Sequence, residues 1–457
     1  MTSDKTTAEL GDTTEVRIGD ALLHVPSAWL VVRDGADGDF AIRANVSTSG
    51  PVSSEFVQPN IVLRFTDADR GDAGSIRISR AVAVDGQREF PSTCLVGQQV
   101  TRLGSGPVVR RQTVVGVAER VPFLQDRVFI GLPTQVLQII MTRDASPRPE
   151  LDRLLESVVR SVREDRADPS LTPPEPVPLD RDLIDHALMK EIAAQGRDQP
   201  VYDAPFALSD PAMRFPELPP STIWLSTNGL ERLIELRSSG LSARFGARPA
   251  SAVHDELTSL GLADGSNLTP RADEVFGPAH GTPDIEVTGQ GFGITTSARV
   301  WIDGEAATLA LGPTHEDLRH GRTGQAYLLR ERSLAVPALL ALWTGLRASW
   351  PTDEAELEGL PLEVLDRALS AAGLPAQDDG KGTSMAADLS TGNWTGWGLT
   401  TSEMPHLQWI ATDARGPFQV SIAEPGAGEA TLHGTDALAL IYAIGERVGK
   451  VLATSAT

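Results

Sequence analysis

A run of prolines divides this chain and constrains everything else about it. From Asp165 to Asp180 the sequence reads DRADPSLTPPEPVPLD, with Pro169, Pro173, Pro174, Pro176 and Pro178. Each proline fixes φ and removes a backbone donor, so the stretch can be neither helix interior nor central strand. It is expected to be a semi-rigid extended spacer. The flanking segments then read as separate domains: residues 1–165, a linker over 166–215 holding a short helix at 181–195, and residues 216–457. A chain of 457 residues is long enough for two ordinary cores.

Composition narrows the function classes. No apolar run approaches the roughly 20 residues a membrane helix needs. The start, MTSDKTTAELGDTTEV, lacks the basic and apolar regions of a signal peptide, so a cytoplasmic location is expected. Cys94 is the only cysteine, which rules out an intramolecular disulfide or a thiolate metal cluster and suggests a small buried hydrophobe. The formal net charge is −21 and uneven: residues 1–165 carry 19 Lys and Arg against 22 Asp and Glu, the remainder 21 against 39. That acidic field repels nucleic acid and anionic lipid, so neither nucleic-acid binding nor membrane insertion is expected.

Residues 15–144 read mostly as strand. VRIGDALLHV, FAIRANVS, NIVLRFT, SIRISRAVAV, VVRRQTVVGVAE, RVFIGL and QVLQIIMTRD are rich in β-branched residues, and Ile76 and Ile78 alternate with Arg77 and Ser79. Gly and Asp clusters at short spacing favour antiparallel meanders. A helix closes this half. Leu151, Leu154, Leu155, Val158, Val159 and Val162 form one apolar stripe, and Pro149 sits in the first turn. The expected fold is an antiparallel sheet with a helix on one face.

This order resembles the PsbP-like, DcrB/LpqN-like α/β sandwich family. The likeness rests on VPSAW (Val25–Trp29), on PNIVLRF (Pro59–Phe65), and on the late strand pair running into a helix that ends SVVRSVR. It implies a binding module, some members of the family being chaperone adaptors for secreted effectors.

In the second half TIWLS reads as a strand. Asn228 stands three before Glu231 at capping-box spacing, with Leu230, Leu233 and Ile234 as the apolar stripe. Pro249 opens a helix with Val253, Leu257 and Leu260 on one face, ending at Gly261, and a third helix starts at Thr269-Pro270. Strands follow in DIEVTG, FGITTSARVWID and EAATLAL, with another near Tyr327–Leu329. VPALLALWTGLRASW is a strong helix with Leu339, Trp343, Leu346 and Trp350 on one stripe. A helix over Leu362–Leu369, strands in HLQWIAT and FQVSIAE, and a closing helix from Thr435 complete an α+β domain. The pattern looks duplicated, although no sequence repeat is visible.

This half resembles the EspG-type chaperones of type VII (ESX) secretion. Four stretches carry the resemblance: Glu256–Pro270, Asp284–Gly289, His406–Ile422 and Thr431–Val448. Where that family's late turn reads Asp-Thr-x-x-Gly-Arg-Tyr, this chain has Asp413-Ala-Arg-Gly416-Pro417-Phe418, which gives the turn a different surface. The resemblance implies a cytosolic chaperone with an antiparallel sheet and helical bundle. It would cover the apolar tip of a helical-hairpin export substrate and pass it to secretion machinery.

Motifs with catalytic overtones do not hold up. His315 and His320 in HEDLRH are five apart, not the four a zinc helix needs, and their glycine flanks suggest a loop. Gly289-Gln290-Gly291-Phe292-Gly293 runs into β-branched residues where a nucleotide loop must open a helix. It reads as a glycine hairpin with Phe292 at a flexible tip. Trp394 and Trp397 in TGNWTGWGLT lie on a glycine-rich stretch, where aromatics anchor partners well, or they plug a sheet–helix core. The expected partner contacts are Phe292, Trp394, Trp397 and Phe418. No catalytic residue, metal or cofactor is expected, and the chain reads as a non-enzymatic adaptor. The alternative is an immunity protein whose acidic half caps a basic toxin.

Overall fold

The computed structural model describes most of residues 12–164 and 216–455; the longest stretches beyond its description are 1–11, 44–56, 165–215, 239–250, 347–359 and 362–393. The expected helices at 181–195 and Leu362–Leu369, together with Pro249 and Trp350, lie outside the described residues. The chain forms two compact units, one of Met1–Gly116 and Val121–Phe206, the other of Val117–Arg120 and Ala207–Thr457. Both combine antiparallel sheets with helices.

In the first unit, β1 (Thr13–Ile18), β2 (Ala21–Pro26) and the two-residue β10 (Arg163–Glu164) make a small sheet. A seven-stranded sheet is built from β3 (Leu30–Arg33), β4 (Phe40–Arg43), β5 (Asn60–Asp67), β6 (Thr93–Arg102), β7 (Val108–Ala118), β8 (Val121–Gly131) and β9 (Gln135–Asp144), in the order β3-β4-β5-β9-β8-β7-β6. One face meets helix α2 (Pro149–Arg160) and strand β2. Leu151, Leu155, Val158, Val159 and Val162 close there on Ile61, Leu63, Ile139 and Met141. Burying each aliphatic side chain contributes about 1.5–3 kcal/mol, so the predicted stripe is the main anchor of α2.

The opposite face carries a helix where a strand was expected. SIRISRAVAV belongs to α1 (Gly71–Glu89). The alternation around Ile76 and Ile78 is short, and no turn residue interrupts the segment. Among its described side chains the buried ones, Ser75, Ile78, Ser79, Ala83 and Gln87, recur at helical spacing. Most are small or polar, so a search for apolar periodicity passes over them. TCLVGQQVTR, not anticipated as a strand, forms β6.

The second unit is organised by one ten-stranded sheet. Its strands are β11 (Ile223–Ser226), β14 (Ile285–Gly291), β15 (Ile294–Asp303), β16 (Ala306–Leu311), β17 (Gln325–Arg332), β18 (Leu360–Pro361), β19 (Trp394–Thr401), β20 (Leu407–Thr412), β21 (Pro417–Ile422) and β22 (Glu429–Gly434). The order is β11-β17-β16-β15-β14-β19-β20-β21-β22-β18. Read outward from the β14–β19 pair, both halves follow one route. An outer strand is followed by an inserted segment, then by four consecutive strands from the middle back to the edge, then by a helix. The closing helices are α7 (Val336–Thr344) and α8 (Ala437–Ser455), and they pack on each other. The duplication suggested by element order is therefore present in the topology, without a repeat in the sequence.

In the first half the inserted segment holds α3 (Thr227–Ser238), α4 (Ser251–Ser259), the ladder β12 (Ala263–Asp264) with β13 (Asn267–Leu268), and α5 (Pro270–Phe276). Helix α6 (His315–Arg319) links β16 to β17. Leu225, Leu233, Leu257, Phe276, Trp301 and Leu328 form the core under α3–α5. The caps show local sequence at work. Thr269 Oγ1 accepts from Ala272 N at the start of α5. Leu262 N donates to Leu257 O (2.8 Å) and Gly261 N to Thr258 O (3.0 Å), the paired bonds that end α4. At α3 the cap is Ser226, whose Oγ accepts from Gly229 N (2.9 Å), and not Asn228, which lies inside the helix. HEDLRH is not loop: Thr314 and Asp317 form a capping box that starts α6. Helix α7 is buried along its whole length and stops at Gly345, before the end of the predicted stripe.

Candidate protein-interaction surface

The edge strand β11 presents a large aromatic to solvent. Alternation along Ile223, Trp224 and Leu225 sends Leu225 into the core under α3–α5 and Trp224 to the other face. Trp224 is 63% exposed. It stands edge-on to Tyr327, its direct cross-strand partner in β17, with ring centroids 5.1 Å apart and planes at 76°.

Tyr327 is held from behind by a closed polar network. Its hydroxyl donates to Asp317 Oδ2 (2.5 Å) and lies 3.2 Å from Gln325 Oε1. Asp317, 1% exposed, also accepts from Thr314 N (2.9 Å), Thr314 Oγ1 (2.8 Å) and Arg322 Nε (2.8 Å). A buried carboxylate is tolerable when it is paired and fully hydrogen-bonded, as here. Burial, then the bond to Asp317, pushes the Tyr327 hydroxyl well above its usual range, so it remains a protonated donor. The hydrogen bond to Asp317 likewise raises the Arg322 guanidinium. The outcome is a rigid ring beneath an exposed one, which presents contact area at little cost in side-chain entropy.

Backbone donors at the two ends of β11 are engaged. Ser226 N donates to Glu256 Oε1 and Ser226 Oγ to Glu256 Oε2, both at 2.6 Å. Thr222 N donates to Pro219 O (2.9 Å). A partner adding a strand would find these donors engaged.

The four residues singled out in the sequence do not gather into one patch. Trp397 is 3% exposed and packs edge-on against Trp343 of α7, centroids 4.9 Å apart. Trp394 is also buried and faces the other side of the sheet, on the side of Ile410 and its cross-strand partner Phe418, which is fully buried. The glycine-rich stretch is thus strand β19, at the middle of the sheet, and its tryptophan rings lie in the interior, as the core alternative expected. Phe292 is not at a free tip. It occupies a two-residue hairpin turn with φ 53° and packs edge-on against His315, centroids 5.9 Å apart. His315 belongs to α6, as does Asp317, so one short helix braces Phe292 and Tyr327.

Sequence reasoning missed Trp224. Alternation with Ile223 and Leu225 signals only that the ring points away from their core, not that it meets solvent there.

His406, just before β20, gives an independent check of local electrostatics. Its Nδ1 lies 2.9 Å from Thr400 Oγ1. Burial, then the nearby Arg447, lowers its pKa from 6.5. Arg447 is fixed by bonds from Nη1 to Ala443 O (2.9 Å) and from Nη2 to Pro405 O (3.1 Å). A histidine whose folded pKa is depressed adds stability above the unfolded pKa and loses it as pH falls. An NMR titration should place the His406 midpoint below 6.5 and move it upward in Arg447→Gln. A midpoint at or above the ordinary value would contradict this geometry.

Among the described residues no helix is long and apolar enough to cross a membrane. No family model matches the chain, and no curated protein matches it. Among solved structures, a Pseudomonas aeruginosa protein of unknown function, PA94, is 18% identical with a TM-score of 0.24, covering 36% of this chain and 100% of its own. A Bacteroides thetaiotaomicron VPI-5482 structure is 12% identical with a TM-score of 0.23, covering 39% of this chain and 57% of its own. At these scores neither likeness carries an argument about fold or function.

Proposed function

We propose that this chain is a cytoplasmic protein-binding adaptor, a chaperone of the EspG-like kind that holds a helical-hairpin export substrate of a type VII-like system. The observation that carries this reading is Trp224: a mostly exposed indole on a braced tyrosine, on an edge strand. Such an aromatic suits the exposed apolar tip of a helical hairpin, because rigid rings are common centres of binding energy. The first unit, a module of the PsbP/LpqN-like kind in this reading, would hold a second region of the same client or the secretion machinery. Tethering by the proline-rich segment would raise the effective concentration of that second contact.

Co-purification of the tagged full chain with the products of neighbouring genes tests the proposal, at low and at high salt. A salt-resistant complex with a small helical-hairpin protein, lost in Trp224→Ala, is the expected result. The charge imbalance favours a second reading: residues 166–457 carry 21 basic against 39 acidic side chains, suited to capping a basic toxin. A salt-labile complex with such a toxin, indifferent to Trp224, would select it, because charge steering is screened.

A further inference from the structure

The register of β11 leaves one residue of the sheet edge open. Thr227 N donates to Gly324 O (3.0 Å). This pair continues the register that sets Ile223 opposite Leu328 and Leu225 opposite Ala326. Ile223, Leu225 and Thr227 therefore turn their main-chain groups toward β17, while Thr222, Trp224 and Ser226 turn theirs outward. The outward donors at both ends are used, Thr222 N by Pro219 O and Ser226 N by Glu256 Oε1. Between them the Trp224 N–H and C=O have no partner among the described residues, and β11 is the last strand of its sheet. The opening is one residue wide, since a longer added strand needs the Thr222 and Ser226 donors as well. Glu256 stands at its Ser226 end. Its carboxylate accepts from Ser226 N and Oγ, both at 2.6 Å, and no cation pairs with it among the described residues.

We propose that Trp224 takes its client by the main chain. One extended residue, from the turn between the client's two helices, bridges the Trp224 N–H and C=O and lays an apolar side chain on the indole. A lysine or arginine two residues away meets Glu256. This rests on the reading of Trp224 as the docking surface and names the part of the client that fits it. A helix interior cannot form the bridge, because its N–H and C=O groups are bonded to one another. The turn can, since groups at helix ends and beyond lack an intrahelical partner. In an antiparallel bridge the paired residues stand opposite with side chains on one face, so the client's apolar side chain meets the ring that Tyr327 supports. The client residue keeps its own N–H, which excludes proline at that position. The acidic balance of residues 166–457, 21 basic against 39 acidic side chains, favours the basic neighbour.

NMR on the full chain, isotope-labelled at its eight tryptophans, tests the bridge. The probe is the peptide acetyl-Lys-Ser-Leu-Ser-Lys-amide, which offers the same pattern in either strand direction. In the free protein the Trp224 amide should exchange with solvent at least about tenfold faster than those of Trp301, Trp397 and Trp409, which lie on strands inside the sheet. The peptide should shift the Trp224 amide and slow its exchange. Methylating the leucine nitrogen removes one bond of the bridge, and binding should weaken about tenfold. Glutamates in place of the lysines should weaken it too. A Trp224 amide as protected as the interior ones, no response to millimolar peptide, equal binding of the N-methyl peptide, or indifference to the glutamate exchange overturns the proposal. If a hairpin client is lost in Trp224→Ala while the N-methyl peptide binds as well as its parent, the bridge falls and the docking surface stands. If the peptide bridges Trp224 and no hairpin client is recovered, the bridge stands and the chaperone reading falls.

Discussion

Gly289→Ala should destabilise the second unit by about 3 kcal/mol, the upper end of what overpacking a core costs. Gly289 lies on β14 directly opposite Trp397 of β19, at the junction of the two halves of the sheet. The Trp397 ring lies across the glycine, so an added Cβ would overlap its six-membered ring and come within 2.9 Å even of Cη2. The ring cannot retreat freely. It is edge-on to Trp343, whose Nε1 donates to Gly312 O (3.0 Å). Urea unfolding measures the loss. Combining Gly289→Ala with Trp397→Leu should cost less than the sum of the two, since the second change removes the obstacle of the first. A single variant within about 0.5 kcal/mol of wild type would mean that the ring does not lie there.

Asp317→Ala should cost about 3 kcal/mol, because it strands buried donors instead of removing a pair. The Thr314 N–H and hydroxyl would lose their acceptor, and Tyr327 would keep only Gln325. Arg322, 41% exposed, can turn to water and adds little. Asp317→Asn should cost less, since an acceptor oxygen remains. Both variants should loosen the platform under Trp224, visible as a change in its fluorescence anisotropy. If Asp317→Ala unfolds at the wild-type urea midpoint, the network does not brace the surface.

Legibility differed by element, for physical reasons. The α2 stripe, the Thr269 cap of α5 and the end of α4 at Gly261 were readable because each is fixed by neighbours in sequence. α1 was not, since its described buried side chains are largely serine, alanine and glutamine, and periodicity searches weigh apolar residues. β19 was hidden for the opposite reason. WTGWGLTT was not read as a strand because glycines weaken one, yet here Gly289 on the next strand makes room for the Trp397 ring. That compensation lies in the register between residues more than a hundred apart in sequence. For the site, Trp224 was visible as a strand residue, but its exposure depends on β11 being an edge, which only the topology supplies. The support from Asp317 was masked by a motif that invited a metal reading, while its role is to hold a tyrosine.

The most direct test of the Trp224 account is an affinity comparison. The full chain and its Trp224→Ala variant would be titrated with the partner recovered by co-purification, at low and high salt, with unfolding midpoints measured alongside. Removal of a central aromatic anchor should weaken binding by about 2 kcal/mol or more, roughly 30-fold. The unfolding midpoint should stay near wild type, because the ring is 63% exposed. Unchanged affinity in a folded Trp224→Ala variant would contradict the account and leave this face without a role in binding.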